Sequence, residues 1–161
     1  MKKMILIKYG ELTTKKGNRN LFIKLLVKNI QSILKNIDYK IKYDRVRMYI
    51  EANDIDLVIN KLKNVFGIHS IVKCFKVNTN IDDVQNALIT ILNDISFETF
   101  KVETNRADKS FSIPSMEFSR MIGGFILKNF DCKVDVHNPD LLLKIEIRTE
   151  GIYIYSNEIP G

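Results

Sequence analysis

Apolar residues recur along this chain at two spacings, and the spacing changes at polar joints. Met4 to Lys8 is a short apolar run stopped by Gly10, which predicts a strand. From Arg19 to about Leu34, the residues Leu21, Phe22, Leu25, Leu26, Ile30, Ile33 and Leu34 return mostly every third or fourth position, with Asn29 the one polar break. That spacing predicts a helix that buries one stripe and leaves Lys24, Lys28 and Lys35 in water, with Asn18 standing where a cap belongs. Tyr39 to Tyr43 and Val46 to Glu51 alternate as two strands about a tight link at Asp44-Arg45. Asp54 can cap a second helix through about Asn64, with Ile55, Val58, Ile59 and Leu62 inward, and Ile71 to Val77 reads as a further strand.

The order β-α-β-β-α-β matches the ferredoxin-like split β-α-β arrangement, four strands with two helices on one face. It closes near residue 77. After a polar joint at Asn78 to Asp82, Val84 to Leu92 reads as helix and Thr99 to Glu103 as strand. Met116 to Asn129 reads as helix with Met121, Ile122, Phe125 and Ile126 apolar, and Ser115 can cap it. Leu141 to Arg148 and Ile152 to Tyr155 form two strands around a turn at Glu150-Gly151. The expected fold class is α+β, a ferredoxin-like βαββαβ domain over residues 1–77 followed by an α/β unit over 78–161. No internal repeat or low-complexity tract is present.

A chain of 161 residues that is 45% hydrophobic and 27% charged has the balance of a soluble globular protein. No apolar run approaches the roughly 18 to 20 residues that cross a bilayer, and the start is too short in apolar residues for a signal peptide. A cytoplasmic location with no membrane partner is the expectation. Cys74 and Cys132 lie far apart without C-x-x-C spacing, and His69 and His137 sit near neither, so no metal site is expected and both thiols should be reduced and buried.

The net charge of +6 is unevenly spread. Residues 1–48 hold thirteen Lys or Arg against Glu11, Asp38 and Asp44, so that segment carries +10 and the remainder −4. Such asymmetry suits a polyanion-facing surface, because each cation set against a phosphate releases condensed counterions; a lysine-rich solvated surface is the plain alternative. Two basic segments precede helices. Lys15, Lys16, Asn18 and Arg19 follow Tyr9-Gly10-Glu11, and Arg106 and Lys109 precede Ile113-Pro114-Ser115. Either could meet phosphate at a helix start, although the first lacks P-loop spacing, and Arg106 could equally form a surface pair with Asp108. Val134 to Asp140 precedes a strand, and its polar side chains favour turn-building over ligand binding. His137 is of a residue type that serves in acid–base work, but no carboxylate–histidine–nucleophile set is readable around it, and no catalytic constellation is visible anywhere.

Several blocks in order now carry a resemblance: Ile5-Leu6-Ile7-Lys8-Tyr9-Gly10-Glu11-Leu12, Gly17-Asn18-Arg19, Val65-Phe66-Gly67-Ile68-His69-Ser70, Arg106-Ala107-Asp108-Lys109-Ser110-Phe111, Val136-His137-Asn138-Pro139-Asp140, and Ile147-Arg148-Thr149-Glu150-Gly151-Ile152-Tyr153-Ile154-Tyr155. The whole chain resembles the amino-terminal portion of the tRNA 4-thiouridine synthetases, also called thiamine-biosynthesis tRNA sulfurtransferases. The resemblance implies a ferredoxin-like domain followed by a THUMP domain, whose family boundary can be drawn from about residue 55, together gripping the acceptor stem and 3′ end of tRNA.

It further implies a parent enzyme whose PP-loop domain, with an S-G-G-x-D-S signature, uses ATP and Mg to activate uridine eight of tRNA and takes sulfur from a cysteine desulfurase. No such signature occurs here, so no cofactor is expected in this chain, which reads as a fragment whether cut on purpose, partial as a gene or short in nature. Homodimerisation is an open option. The RNA contacts expected on this basis are Lys8, Lys15, Lys16, Asn18, Arg19, Arg47, Arg106, Lys109, Arg120 and His137, binding rather than catalysing. The run Lys15-Lys16-Gly17-Asn18 departs from the K-G-K-N of many relatives, which unsettles the contact made by either lysine. Two other readings stay open: the THUMP half of a different tRNA-modifying enzyme, and a ferredoxin-like domain that dimerises or binds a small ligand without RNA.

Overall fold

A computed structural model describes residues 1–9 and 19–156. Its elements are β1 (Lys2–Tyr9), α1 (Arg19–Ile33), β2 (Tyr39–Tyr43), β3 (Arg47–Ala52), α2 (Ile55–Leu62), β4 (Ile68–Val77), α3 (Ile81–Asn93), β5 (Thr99–Arg106), α4 (Ser115–Asn129), β6 (Lys133–Val134), β7 (Leu141–Arg148) and β8 (Gly151–Tyr155). The α+β class and both domain types are those the sequence predicts. The described residues divide into two compact units, Lys3–Cys74 and, with Met1–Lys2, residues 75–156.

In the first unit the strand order is β2-β3-β1-β4, with β3 antiparallel to both β1 and β2. Ile5, Ile7, Met48, Ile50 and Ile71 turn one sheet face to α1 and α2, where they meet Ile23, Leu26, Val27, Ile30, Val58, Ile59 and Leu62 in one buried cluster. The α1 stripe expected from the sequence is rotated. Leu26, Ile30 and Leu34 are buried as expected and are joined by Ile23 and Val27, while Leu21, Leu25 and Ile33 are 60%, 51% and 38% exposed. The reason lies in Asn29. It stands on the row Leu21-Leu25-Asn29-Ile33, so that row cannot be buried without leaving an amide in the core, whereas 23-26-27-30-34 is apolar throughout.

Asp54 caps α2 as expected, its Oδ1 accepting from the backbone N–H of Leu57 at 3.1 Å. Between α2 and β4 the chain turns at Gly67, where φ is +98° and a Cβ would lie 2.6 Å from Cζ of Phe22. Only glycine fits there.

In the second unit the order is β8-β7-β5-β6, with β7 antiparallel to β8 and parallel to β5, and β6 parallel to β5. Phe100, Phe118, Ile122, Ile126, Leu143, Ile145, Ile152 and Ile154 form its core with the inner residues of α3. Three details depart from expectation. Helix α3 begins at Ile81 rather than Val84, because Asn80 accepts from the N–H of Asp82 and caps it. Ser115 does not cap α4; it is the first helical residue, and the N-cap position belongs to Pro114, which has no side-chain acceptor. Strand β6, which takes in Lys133 and the first residue of the Val134 to Asp140 stretch read as turn-building, is too short at two residues to give a period. Cys74 is buried, but Cys132 is only partly so, with burial and the Asp131 charge pushing its thiol up.

Among the described residues no helix is long and apolar enough to cross a membrane, and no three His, Cys, Asp or Glu side chains gather to hold a metal ion.

Candidate nucleic-acid interface

In the first unit, register decides where charge collects. Strand β1 pairs with β3 so that Lys8 is opposite Arg47 and Leu6 opposite Tyr49, and β2 pairs with β3 so that Lys42 is opposite Tyr49 and Lys40 opposite Glu51. Side chains alternate across a strand, so with Ile5, Ile7, Met48 and Ile50 turned to the helices, Lys8, Arg47 and Lys42 share the other face. The result is a diagonal basic row across three strands, with Lys42 paired to buried Tyr49 rather than to Arg47. Lys8 and Arg47 are among the contacts expected from the sequence. Lys42 is an addition, although the alternation of Tyr39 to Tyr43 already puts Lys40 and Lys42 on one face.

Tyr9 ends β1 beside this row. Its hydroxyl donates to the backbone carbonyl of Asp44 at 2.8 Å, tying β1 to the β2–β3 turn. That turn is itself held by the Asp44 carboxylate, which accepts from the N–H groups of Val46 (2.7 Å) and Arg47 (2.9 Å). Burial, then the Asp44 charge, hold the Tyr9 phenol far above its ordinary range against the opposing pull of Arg19. Arg19, at the start of α1, is therefore close enough to Tyr9 to act on it electrostatically. Lys15, Lys16 and Asn18, with the cap expected of Asn18, lie outside the described residues.

In the second unit the basic loop after β5 is closed by its own side chains. Arg106 is half-buried, and its Nη1 donates to the carbonyl of Phe111 at 2.9 Å rather than forming only a surface pair with Asp108. The Asp108 carboxylate accepts from the N–H (3.0 Å) and hydroxyl (2.6 Å) of Ser110, bonds that hold it below the usual carboxylate range with help from the Arg106 charge. Lys109 is exposed between them. Arg120 is exposed on α4 and follows in sequence Ser119, whose hydroxyl donates to Thr104 of β5 at 2.7 Å.

Beside these residues is a groove of about 630 Å³, lined among others by Thr104, Asn105, Ser115, Met116 and Ser119. Glu103 of β5, Lys144 and Ile145 of β7 and Tyr155 of β8 also line it. Met116, 80% exposed, stands at its margin. Hydroxyl and amide side chains of this kind can bond base edges and sugars, and a thioether can pack against a base.

His137 is not part of that grouping. Its turn is built on Asp135, whose carboxylate accepts from the N–H groups of His137 and Asn138, while Asp135 N–H donates to the Phe100 carbonyl. That places His137 at the Thr99 end of β5, on the order of 20 Å from the Arg106 end at strand rise. The imidazole is exposed there, and the turn-building reading of this segment agrees with its geometry.

Comparison with known proteins fits both units. The model of the ThiI ferredoxin-like domain matches residues 4–72, and that of the THUMP domain matches residues 78–157. The chain belongs to these two domain families, joined in one polypeptide. A relative from Thermoanaerobacter pseudethanolicus named a probable tRNA sulfurtransferase is 44% identical over 164 residues, covering 100% of this chain and 43% of its own length. One of the same name from Mycoplasmopsis synoviae is 43% identical, covering 100% and 41%. A 4-thiouridine synthetase crystallised with RNA and bound ATP superposes with a TM-score of 0.84 at 30% identity over 99% of this chain and 42% of that one. The ThiI ferredoxin-like and THUMP pair thus spans well under half of these proteins. TrmN from Thermus thermophilus, at 15% identity and a TM-score of 0.61, shares the fold alone.

Proposed function

We propose that this ThiI ferredoxin-like and THUMP pair is the tRNA-binding front part of a tRNA sulfurtransferase. The observation that carries the reading is the likeness, over 99% of the chain, to a 4-thiouridine synthetase solved with RNA. The basic row Lys8, Arg47 and Lys42 supports a phosphate-facing surface in the first unit. Lys109, Arg120 and the polar groove beside β5 support a second in the THUMP unit.

In this reading the chain grips the acceptor stem and 3′ end, and the parent enzyme makes 4-thiouridine at position eight and passes sulfur toward thiamine thiazole. Activation by ATP and Mg, with sulfur from a cysteine desulfurase, belongs to a PP-loop domain outside this sequence. The protein works in the cytoplasm, and pairing of two chains is compatible with the division of labour between gripping and catalysis. Contacts are mainly to phosphate, sugar and unpaired bases, since the deep major groove of A-form RNA does not admit side chains.

Filter-binding titration of this chain against total tRNA, with and without an intact 3′ end and at two salt concentrations, tests the reading. Salt-sensitive binding that weakens on removal of the 3′ end is expected. Absence of binding at low salt would overturn it, and equal binding to both tRNA forms would remove the 3′ end from the proposal.

A further inference from the structure

We infer that Arg106 and Asp108 do not touch RNA themselves but are positioning residues that present Lys109 to a phosphate; the inference rests on the RNA-binding reading above. Five contacts build the loop between β5 and α4. Asp108 N–H donates to the Ile147 carbonyl of β7 at 3.0 Å, fixing the start of the loop to the sheet. The Asp108 carboxylate accepts twice from Ser110, and Phe111 N–H donates to the Asp108 carbonyl at 3.2 Å, so the chain folds back over Lys109. Arg106 Nη1 then holds the Phe111 carbonyl.

The far end is anchored in the core. The Phe111 ring packs edge-on against Phe118, with centroids 5.8 Å apart, and Phe118 is fully buried. Between these fixed points Lys109 is the exposed cation, whereas Arg106 is half-buried and directs a terminal nitrogen to the backbone. A carboxylate next to a polyanion is unfavourable in itself, so Asp108 opposes binding by charge and favours it only through the shape it imposes.

That conflict of sign supplies the test, made with this chain and unfractionated tRNA. Asp108→Ala removes a negative charge, so a purely electrostatic role predicts tighter binding. Positioning predicts weaker binding, about threefold to tenfold, with Asp108→Asn restoring it because the amide oxygen can still accept from Ser110. Lys109→Ala should remove about one counterion from the salt dependence, roughly threefold less change in affinity between about 50 and 200 mM salt. In the Lys109→Ala background, Arg106→Ala should add no further loss.

Thermal melts of each variant guard against unfolding, and Arg106→Lys gives a second reading if Arg106→Ala folds poorly: it keeps the charge but should still behave as a loss. Tighter or unchanged binding by Asp108→Ala, or additive losses for Arg106 and Lys109, would overturn the inference while leaving RNA binding intact. A wild-type chain that binds no tRNA overturns the underlying reading instead.

Discussion

Thr99 and Asp140 hold each other across 41 residues: the Thr99 N–H donates to Asp140 Oδ2 at 3.2 Å, and the Asp140 N–H donates to Thr99 Oγ1 at 2.9 Å. The same carboxylate oxygen accepts from Glu98 N–H at 3.0 Å, so one side chain fixes the starts of both β5 and β7. Asp140 therefore acts as a builder of the sheet. Asp140→Ala should lower unfolding free energy by about 1–2 kcal/mol, since it strips the acceptor from two strand-initiating amides. Urea denaturation followed by circular dichroism measures this. The salt dependence of tRNA binding should not move, because no cation is removed.

Gly67 makes a sharper case in the first unit. A methyl group there would meet the Phe22 ring at 2.6 Å in a backbone conformation, φ +98°, that L side chains rarely adopt. Gly67→Ala combines strain with overpacking and should destabilise by about 2–4 kcal/mol. Phe22→Leu in the same background should recover part of the loss by making room, leaving only the strain. A double variant no more stable than Gly67→Ala alone would show that the backbone angle, not the ring, dominates.

The element order is readable in the sequence because Asp54 and the β-branched runs mark boundaries locally. What escapes such reading has a physical cause in each case. Helix α1 is apolar on more than one side, so periodicity alone permits two overlapping stripes, and the choice turns on where Asn29 falls. Ser115 and Pro114 compete for the same cap position, and the extended conformation natural to proline (φ −61°, ψ 153°) settles it. The bond from Arg106 to the Phe111 carbonyl escapes such reading because a backbone carbonyl has no sequence signature. Lys42 stays inconspicuous there, since a surface lysine gains meaning only from the strand register that sets it on the same sheet face as Arg47.

Tyr9 offers a test by pH. Its phenol is neutral when protonated, and burial holds its pKa above the ordinary value near 10. The stability it contributes is complete below about pH 10, the unfolded value, and is lost as pH rises through the higher folded value. Tyr9 should therefore resist ionisation as alkali is added, and part of the tyrosinate absorbance of the chain should appear only when the fold opens. Tyr9→Phe should shrink that late-appearing part by one phenol and cost about 1 kcal/mol through loss of the bond to Asp44. A Tyr9→Phe chain whose late-appearing absorbance equals that of the wild type would contradict the burial argument.

The basic row permits a comparison at constant charge. Lys24 and Lys28 are exposed on α1, on the helix-covered side of the first-unit sheet, whereas Lys42 and Arg47 lie on the opposite sheet face. Replacing either pair with alanine removes two positive charges from the same domain, so a general attraction to polyanion would respond equally to both. Local phosphate contact would not. Lys42→Ala with Arg47→Ala should flatten the plot of log affinity against log salt by about 1.5, near 0.7–0.9 for each phosphate no longer neutralised, while Lys24→Ala with Lys28→Ala leaves the slope nearly unchanged. Slope is the better readout than affinity at one salt, because it counts released ions and is insensitive to modest loss of folded fraction. Equal slopes for the two double variants would mean that the first unit contributes only diffuse charge, and that the contacts fixing RNA lie around Lys109 and the groove beside β5.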